Sequence, residues 1–326
     1  MNRIRRIAVA SLIAASALAG CGRAATPASE VPPAATATPT EPASPTATTE
    51  PSAVVRSPAP SGTTSFTMEH DGVTRRYVLH VPSSLDRATP VPLLIELHGG
   101  GGSGETIDSI TGFYAIADRE GFVVAAPSAA GTNWNDGRVF MQGETGGADD
   151  VGYLAAMIDR IRTQVEIDPG RVYVVGLSNG AIMTGRLACQ LPQRIAAVAQ
   201  VAGTAAVVVA ASCRPGRALP ILEMHGSADS VVPYEGGTVA PQLGGRGQVV
   251  GVEDWASLWV ANNSTSPQPQ TWTAGTLSIR TWHGSSPQSD IVFYRIEGGG
   301  HTWPPAMQGL AASETIWRFL ANHQSG

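Results

Sequence analysis

The sequence predicts an α/β domain built on a mostly parallel central sheet flanked by helices. Three observations lead there. Short apolar runs of strand length alternate with amphipathic stretches of helix length over roughly 260 residues. Two of the runs, VPLLIEL at 91–97 and RVYVVGL at 171–177, are apolar almost throughout, as strands covered on both faces must be. Glycine-rich segments stand where strands hand over to helices, the place where ligands meet an open α/β sheet.

Taken in order, segments 65–70 and 73–81 read as extended runs joined at Asp71-Gly72, a hairpin signal. After the strand at 91–97, the spacing of 105–119 predicts a helix that stops at Gly121. A strand at 122–126 is ended by Pro127. Segment 149–165 opens with Asp149 and Asp150, which suit a helix N-terminus as dipole partners, and ends before Pro169-Gly170. The strand at 171–177 leads into a helix at 179–191. Strands at 195–202 and 219–224 follow, then a helix at 253–262, a polar Thr-rich hairpin within 267–286, a last strand at 289–296 and a last helix at 311–322. No internal repeat is visible, so 63–326 reads as a single domain.

The N-terminus has a different character. Arg3, Arg5 and Arg6 precede a short apolar run from Ile7 to Gly20, less than the ~20 residues a membrane-spanning helix needs. This is the pattern of a secretory signal at 1–20. Leu18-Ala19-Gly20-Cys21 resembles the bacterial lipobox, which implies that Cys21 is lipidated and becomes the mature N-terminus, anchored by acyl chains. Within 21–62, the 38 residues from Ala25 contain nine prolines and otherwise almost only Ala, Thr, Ser, Glu and Val. Such a segment has too little apolar surface to order itself and reads as an extended tether.

Composition removes several function classes. All 21 basic residues are arginine. Without lysine there is no P-loop of the GK[ST] kind, no Schiff-base chemistry and no Ser–Lys dyad. Beyond residue 62 the chain carries 16 basic and 23 acidic residues, with no basic run, which argues against nucleic-acid binding. Cys189 and Cys213 are expected to be oxidised outside the cytoplasm; two separate buried thiols is the alternative.

Gly176-Leu177-Ser178-Asn179-Gly180 fits G-x-S-x-G, with RVYVV before it and AIMTGRLA after it. Strand, sharp turn and helix are the context that lifts a serine Oγ above a sheet as a nucleophile. The Asn179 amide then lies at a helix N-terminus, pointing at a developing oxyanion. A second donor is expected from the glycine loop at 97–104, from Gly100 with Gly99 beside it. The serine needs a base and the base an orienting acid. Of seven histidines, only His301 follows the last strand in a glycine loop, GGGHTWP. Asp229, in HGSADSVVPY just past a strand, is the expected acid, with Asp254 as runner-up although it stands at a helix start. Ser178, Asp229 and His301 also follow the chain order of this chemistry. Trp303, Trp134 and Tyr234 are candidates to line a substrate pocket, core packing being the alternative for each.

HGGGGSG, GLSNG, HGSADSVVPY and GGGHTWP together resemble the polyhydroxybutyrate depolymerase and feruloyl-esterase-like group of serine esterases over roughly residues 65–326. The resemblance implies the α/β-hydrolase fold, a triad of Ser178, Asp229 and His301, and no metal; no cofactor is expected. Ala181 replaces a glycine common after the elbow. The implied activity is hydrolysis of a small-molecule or polymer ester, either feruloyl or acetyl esters on polysaccharide or short hydroxyalkanoate oligomers, through an acyl-enzyme. The protein is expected to be a monomer that meets a membrane only through its lipid. A catalytically idle surface lipoprotein that binds a ligand is the reading from another class.

Overall fold

The computed structural model describes residues 58–139, 145 and 147–325. The signal segment, Cys21 and the tether up to residue 57 lie outside the described residues. Ten strands form one sheet in the order β1 (Gly62–His70), β2 (Val73–Val81), β4 (Val123–Pro127), β3 (Val91–Leu97), β5 (Ile167–Leu177), β6 (Ala197–Val201), β7 (Ile221–Gly226), β12 (Ile291–Ile296), β11 (Leu277–Trp282) and β10 (Gln270–Ala274). The six strands from β4 to β12 run parallel, and antiparallel strands close both edges. A two-stranded antiparallel ribbon, β8 (Gly237–Thr238) with β9 (Gln248–Val249), stands apart from this sheet.

Side-chain alternation along the buried strands feeds two layers. Leu93, Ile95 and Leu97 of β3, with Val172 and Val174 of β5, pack on α3 (Asp150–Arg162), α4 (Asn179–Gln190) and α6 (Val252–Asn262). Leu94, Tyr173 and Val175 pack on α2 (Phe113–Glu120) and α7 (Ala312–Ala321) from the other side. The helices supply Leu154, Met157, Ile161, Trp255 and Trp259 on one face and Phe113, Ile116, Ile316 and Leu320 on the other, all buried. Each such large side chain contributes about 2–3 kcal/mol by leaving water. A mostly parallel sheet covered by helices on both faces is the α/β-hydrolase arrangement anticipated above.

The departures are local. The helix anticipated at 105–119 is two: α1 (Asp108–Thr111) ends at Gly112, whose left-handed φ of 69° breaks the run before α2. β5 begins at Ile167, so Pro169-Gly170 lies inside the strand rather than before it, and the pairing with β3 slips between Val91 and Leu93. A short helix, α5 (Val207–Ser212), forms from the β-branched run VVVAAS, for which the sequence pattern indicates no element. Cys189 at the end of α4 is disulfide-bonded to Cys213 just past α5, with Cα atoms 5.0 Å apart. Among the described residues no helix is long and apolar enough to cross a membrane.

Parallel strands place their carboxyl ends on one edge of the sheet. The segments after β3, β5, β7 and β12 carry the glycine loop, Ser178, Asp229 and His301. Residues far apart in sequence therefore meet there.

Candidate active site

Ser178 occupies the turn between β5 and α4 with φ 57° and ψ −118°, a conformation costing a non-glycine residue about 1–3 kcal/mol. The surroundings hold it there. Its N–H donates to the Val201 carbonyl at 2.9 Å, and its carbonyl starts α4 by accepting from Ile182. The flanking glycines are required by close approach. A Cβ on Gly176 would lie 2.3 Å from the Gly180 oxygen, and one on Gly180 would lie 2.3 Å from the Leu97 oxygen.

The Ser178 hydroxyl faces His301 Nε2 at 2.8 Å, and His301 Nδ1 faces Asp229 Oδ2 at 2.7 Å. If Nδ1–H donates to Asp229, Nε2 is left to accept from the serine. The other Asp229 oxygen accepts from the Val231 and Val232 amides at 2.8 and 2.9 Å. Burial alone raises a carboxyl pKa, but hydrogen bonds from His225 and His301 outweigh it and hold Asp229 well below the usual carboxylate range. The alternative acid, Asp254, sits exposed in the first turn of α6.

The remaining histidines are engaged elsewhere. His70 pairs with Asp149, His80 with Thr63 and Asp118, His283 with Asp290, and His323 with the Phe319 carbonyl. His98 is buried, and burial pushes its pKa down. It accepts from the Ala129 amide at Nε2, so Nδ1 donates to the Gly99 carbonyl, a neutral tautomer that braces the glycine loop.

Two clefts meet at Ser178 and His301. One, of about 330 Å³, is walled by Ile107, Ile110, Leu177 and Trp303. The other, of about 300 Å³, is walled by Asn133, Arg138, Val232, Leu243 and Arg246. Gly100 borders both, and Gly99 borders the first. The Asn179 amide lies in the first turn of α4, where N–H groups have no intrahelical acceptor. Asn179, Gly100 and Gly99 thus lie around Ser178.

Of the three aromatic candidates, Trp303 lines a cleft, its ring edge-on to Phe113 and its Nε1 donating to Ser313 Oγ. Trp134 and Tyr234 require correction. Trp134 is wholly buried: its amide donates to Asn179 Oδ1 at 2.7 Å and its Nε1 to the His98 carbonyl at 2.9 Å, so it is a strut between elbow and glycine loop. Tyr234 is buried with its hydroxyl on Glu253 and the Arg295 guanidinium over its ring.

Several residues at the site carry no motif. Asn133 Oδ1 would lie 2.6 Å from a Cβ at Gly100, so it sits directly against that loop. Asp136, fully buried, accepts from Asn179 Nδ2 at 2.6 Å and pairs with Arg138. Gln200 donates to the carbonyls of Ala181, Gly203 and Thr204 beneath the elbow. Asn133, Asn135, Asp136 and Arg138 are all buried within one short segment. Asp150 is more than a dipole partner: buried, it pairs with Arg75 at 2.5 Å, whereas Asp149 caps α3 through Gly152. Among the described residues, one group has metal-ligand proximity, His70, Asp71 and Asp149, and it belongs to neither cleft.

Comparison with known proteins places the chain among esterases. Residues 75–231, which include Ser178 and Asp229, match the family model described as Esterase PHB depolymerase. The chain is 30% identical over 348 aligned residues to "Putative esterase NocK" of Nocardia uniformis subsp. tsuyamanensis, covering 98% of both proteins. It is also 30% identical to feruloyl esterase B of Piromyces equi, over 70% of this chain and 42% of that protein. Among solved structures, an acetyl xylan esterase from Aspergillus awamori shares the fold with a TM-score of 0.58 at 16% identity, over 79% of this chain and 99% of that one. With its fold, its serine turn and a full-length esterase relative in agreement, the chain belongs to the PHB-depolymerase family of esterases and is a carboxylic ester hydrolase.

Proposed function

We propose that Ser178, His301 and Asp229 form the catalytic triad. The observation that carries this is the continuous hydrogen-bond chain from Ser178 Oγ through His301 to Asp229 Oδ2, at 2.8 and 2.7 Å. Ser178 attacks the ester carbonyl as His301 takes its proton, and His301 then returns that proton to the leaving alcohol. Asp229 keeps the imidazole in the required tautomer and offsets the charge it gains. The amides of Asn179 and Gly100, with Gly99 beside them, stabilise the tetrahedral oxyanion, each donor lowering the barrier by about 3–4 kcal/mol. Water repeats the sequence on the acyl-enzyme.

The apolar cleft at Trp303 suits the acyl group and the more polar cleft at Arg138 and Asn133 the alcohol portion. Relatives named feruloyl esterase and acetylxylan esterase support feruloyl or acetyl esters of polysaccharide as substrates, and the family description supports hydroxyalkanoate oligomers. The disulfide fits an oxidising compartment, and with the signal pattern it supports export and anchoring through Cys21. Ser178→Ala tests the triad. Turnover of a short chromogenic ester should fall by at least about 10³-fold with an unchanged circular dichroism spectrum, and activity within tenfold of the parent removes Ser178 as nucleophile.

A further inference from the structure

Behind the triad lies a second set of buried ionisable groups that the reaction as described leaves unused. His225, the penultimate residue of β7, has a fully buried side chain. Its Nδ1 is 2.9 Å from Glu223 Oε1 and its Nε2 is 2.9 Å from the Val232 carbonyl oxygen. The same Nε2 is 3.4 Å from Asp229 Oδ2, the oxygen that holds His301. The Val232 oxygen can only accept, so Nε2 carries a proton. Nδ1 faces a carboxylate, which favours a second proton on the ring.

We propose that His225 is a positioning residue of the triad: a buried imidazolium clamped between Glu223 and Asp229 that keeps the Asp229 carboxylate ionised and fixed for His301. The inference rests on the triad reading of Ser178, His301 and Asp229.

The charges around the ring fit this role. Glu223 and Asp229 approach it from opposite sides, and two buried carboxylates so placed need a cation between them. Tyr234 meets the ring edge-on at 5.8 Å. Arg295, opposite His225 in the register of β12, is turned over the Tyr234 ring. His301 is reached through Asp229. Burial opposes charge on His225, but its bonds to Asp229 and Glu223 outweigh burial and raise its pKa to about 10. Burial raises Glu223 to about 7 despite His225. At neutral pH the proton shared by the pair therefore stays on His225, whose affinity for it is the higher. The clamp also fixes backbone, because the Val232 carbonyl that His225 grips belongs to the turn whose amides bind Asp229 Oδ1.

The test begins with the unaltered enzyme labelled with ¹⁵N-histidine; seven histidines give a resolvable spectrum. His225 should show both ring nitrogens protonated from about pH 6 to 9. A neutral ring at neutral pH overturns the proposal, whatever the fate of the triad assignment. In Glu223→Gln the second proton should be lost at a pH at least about one unit lower, because the carboxylate that holds it is gone. An unchanged titration overturns the clamp. His225→Gln keeps a donor for Val232 but removes the charge, so Asp229 and His301 together bind a proton more tightly. The acid limb of kcat/KM should move up by about half to one pH unit, with KM little changed. A fall in kcat with the acid limb unmoved would leave His225 a packing residue only. If His225→Gln does not fold, the two spectroscopic measurements decide. Failure of Ser178→Ala to abolish activity would strike the triad reading and leave the His225 titration standing.

Discussion

Glu96 offers the most direct test of the electrostatics of this fold. It lies on β3, directly before the glycine loop, with 1% of its surface exposed. Thr111 donates to one carboxyl oxygen, and the other has no hydrogen-bond partner among the described residues. Burial raises its pKa to about 8 from the usual 4.5, with the Thr111 bond opposing and Asp108 adding to the rise. The folded state therefore binds this proton more tightly than the unfolded chain. The resulting stability is fully present below the unfolded value and is lost as pH rises from about 4.5 to about 8, at roughly 1.4 kcal/mol per pH unit. The total is on the order of 5 kcal/mol, a large share of an ordinary domain's stability. Glu96→Gln removes the titration and keeps the shape. Urea unfolding should show the variant about 1 kcal/mol less stable than the parent near pH 5, where the parent carboxyl is neutral. Near pH 9 it should be several kcal/mol more stable than the parent. Because Glu223 and the other shifted groups are common to both proteins, their contributions cancel in the difference. A stability difference equal at the two pH values would mean that Glu96 is ionised in the fold, and the reasoning from its burial would fail.

Two further outcomes follow from the site and the N-terminus. Asp229→Asn should lower kcat by about 10³–10⁴-fold through loss of the His301 tautomer, whereas Asp254→Asn on the exposed first turn of α6 should leave kcat within about twofold; the reverse pattern in steady-state kinetics would move the acid to Asp254. Cys21→Ala should release the protein from the membrane fraction, and mass spectrometry of the native N-terminal peptide should find acyl chains on Cys21; an unmodified Cys21 would leave an esterase without a lipid anchor.

The elements that position the site were legible because each left a local mark. G-x-S-x-G leaves a mark because two glycines are needed for Gly176 and Gly180 to lie against neighbouring backbone. His301 was separable from six other histidines by its place after the last strand, and the structure gives each of those six another partner. What stayed hidden depends on pairing between distant segments. The bond between Asp136 and Asn179 spans 43 residues, and no spacing rule announces it. Trp134 and Tyr234 misled for a related reason. An aromatic beside a motif is as useful for packing the motif's far side as for lining a pocket, and only tertiary contact distinguishes the two. The split at Gly112 was readable in principle, since a glycine within a helical pattern can take the left-handed conformation that ends a helix. The run at 207–212 was not, because tertiary packing there overrides the strand preference of three consecutive valines.

The buried support behind Asn179, proposed above as an oxyanion donor, is not explained by stability. Asp136 and Arg138 form an ion pair with side-chain exposures of 0% and 3%. Removing two charges from water at such depth costs several kcal/mol per ion, which their attraction at best offsets. Apolar residues of similar volume would hold the core as well. What they would not supply is an acceptor for Asn179 Nδ2, which Asp136 binds at 2.6 Å while Asn179 Oδ1 accepts the Trp134 amide. Asn179 is thereby held at both ends of its side-chain amide, and its backbone N–H is held with it in the first turn of α4. Arg138 in turn keeps Asp136 from standing as an unpaired buried anion, and its Nη1 ties the arrangement to the Arg246 carbonyl in the wall of the polar cleft. The same logic applies below the triad, where Glu223 and His225 brace Asp229, and under the glycine loop, where neutral His98 holds the Gly99 carbonyl. Asn179, Gly99 and Asp229, proposed above to act in ester hydrolysis, are each held by a buried polar neighbour whose presence is costly for folding and whose geometry serves orientation.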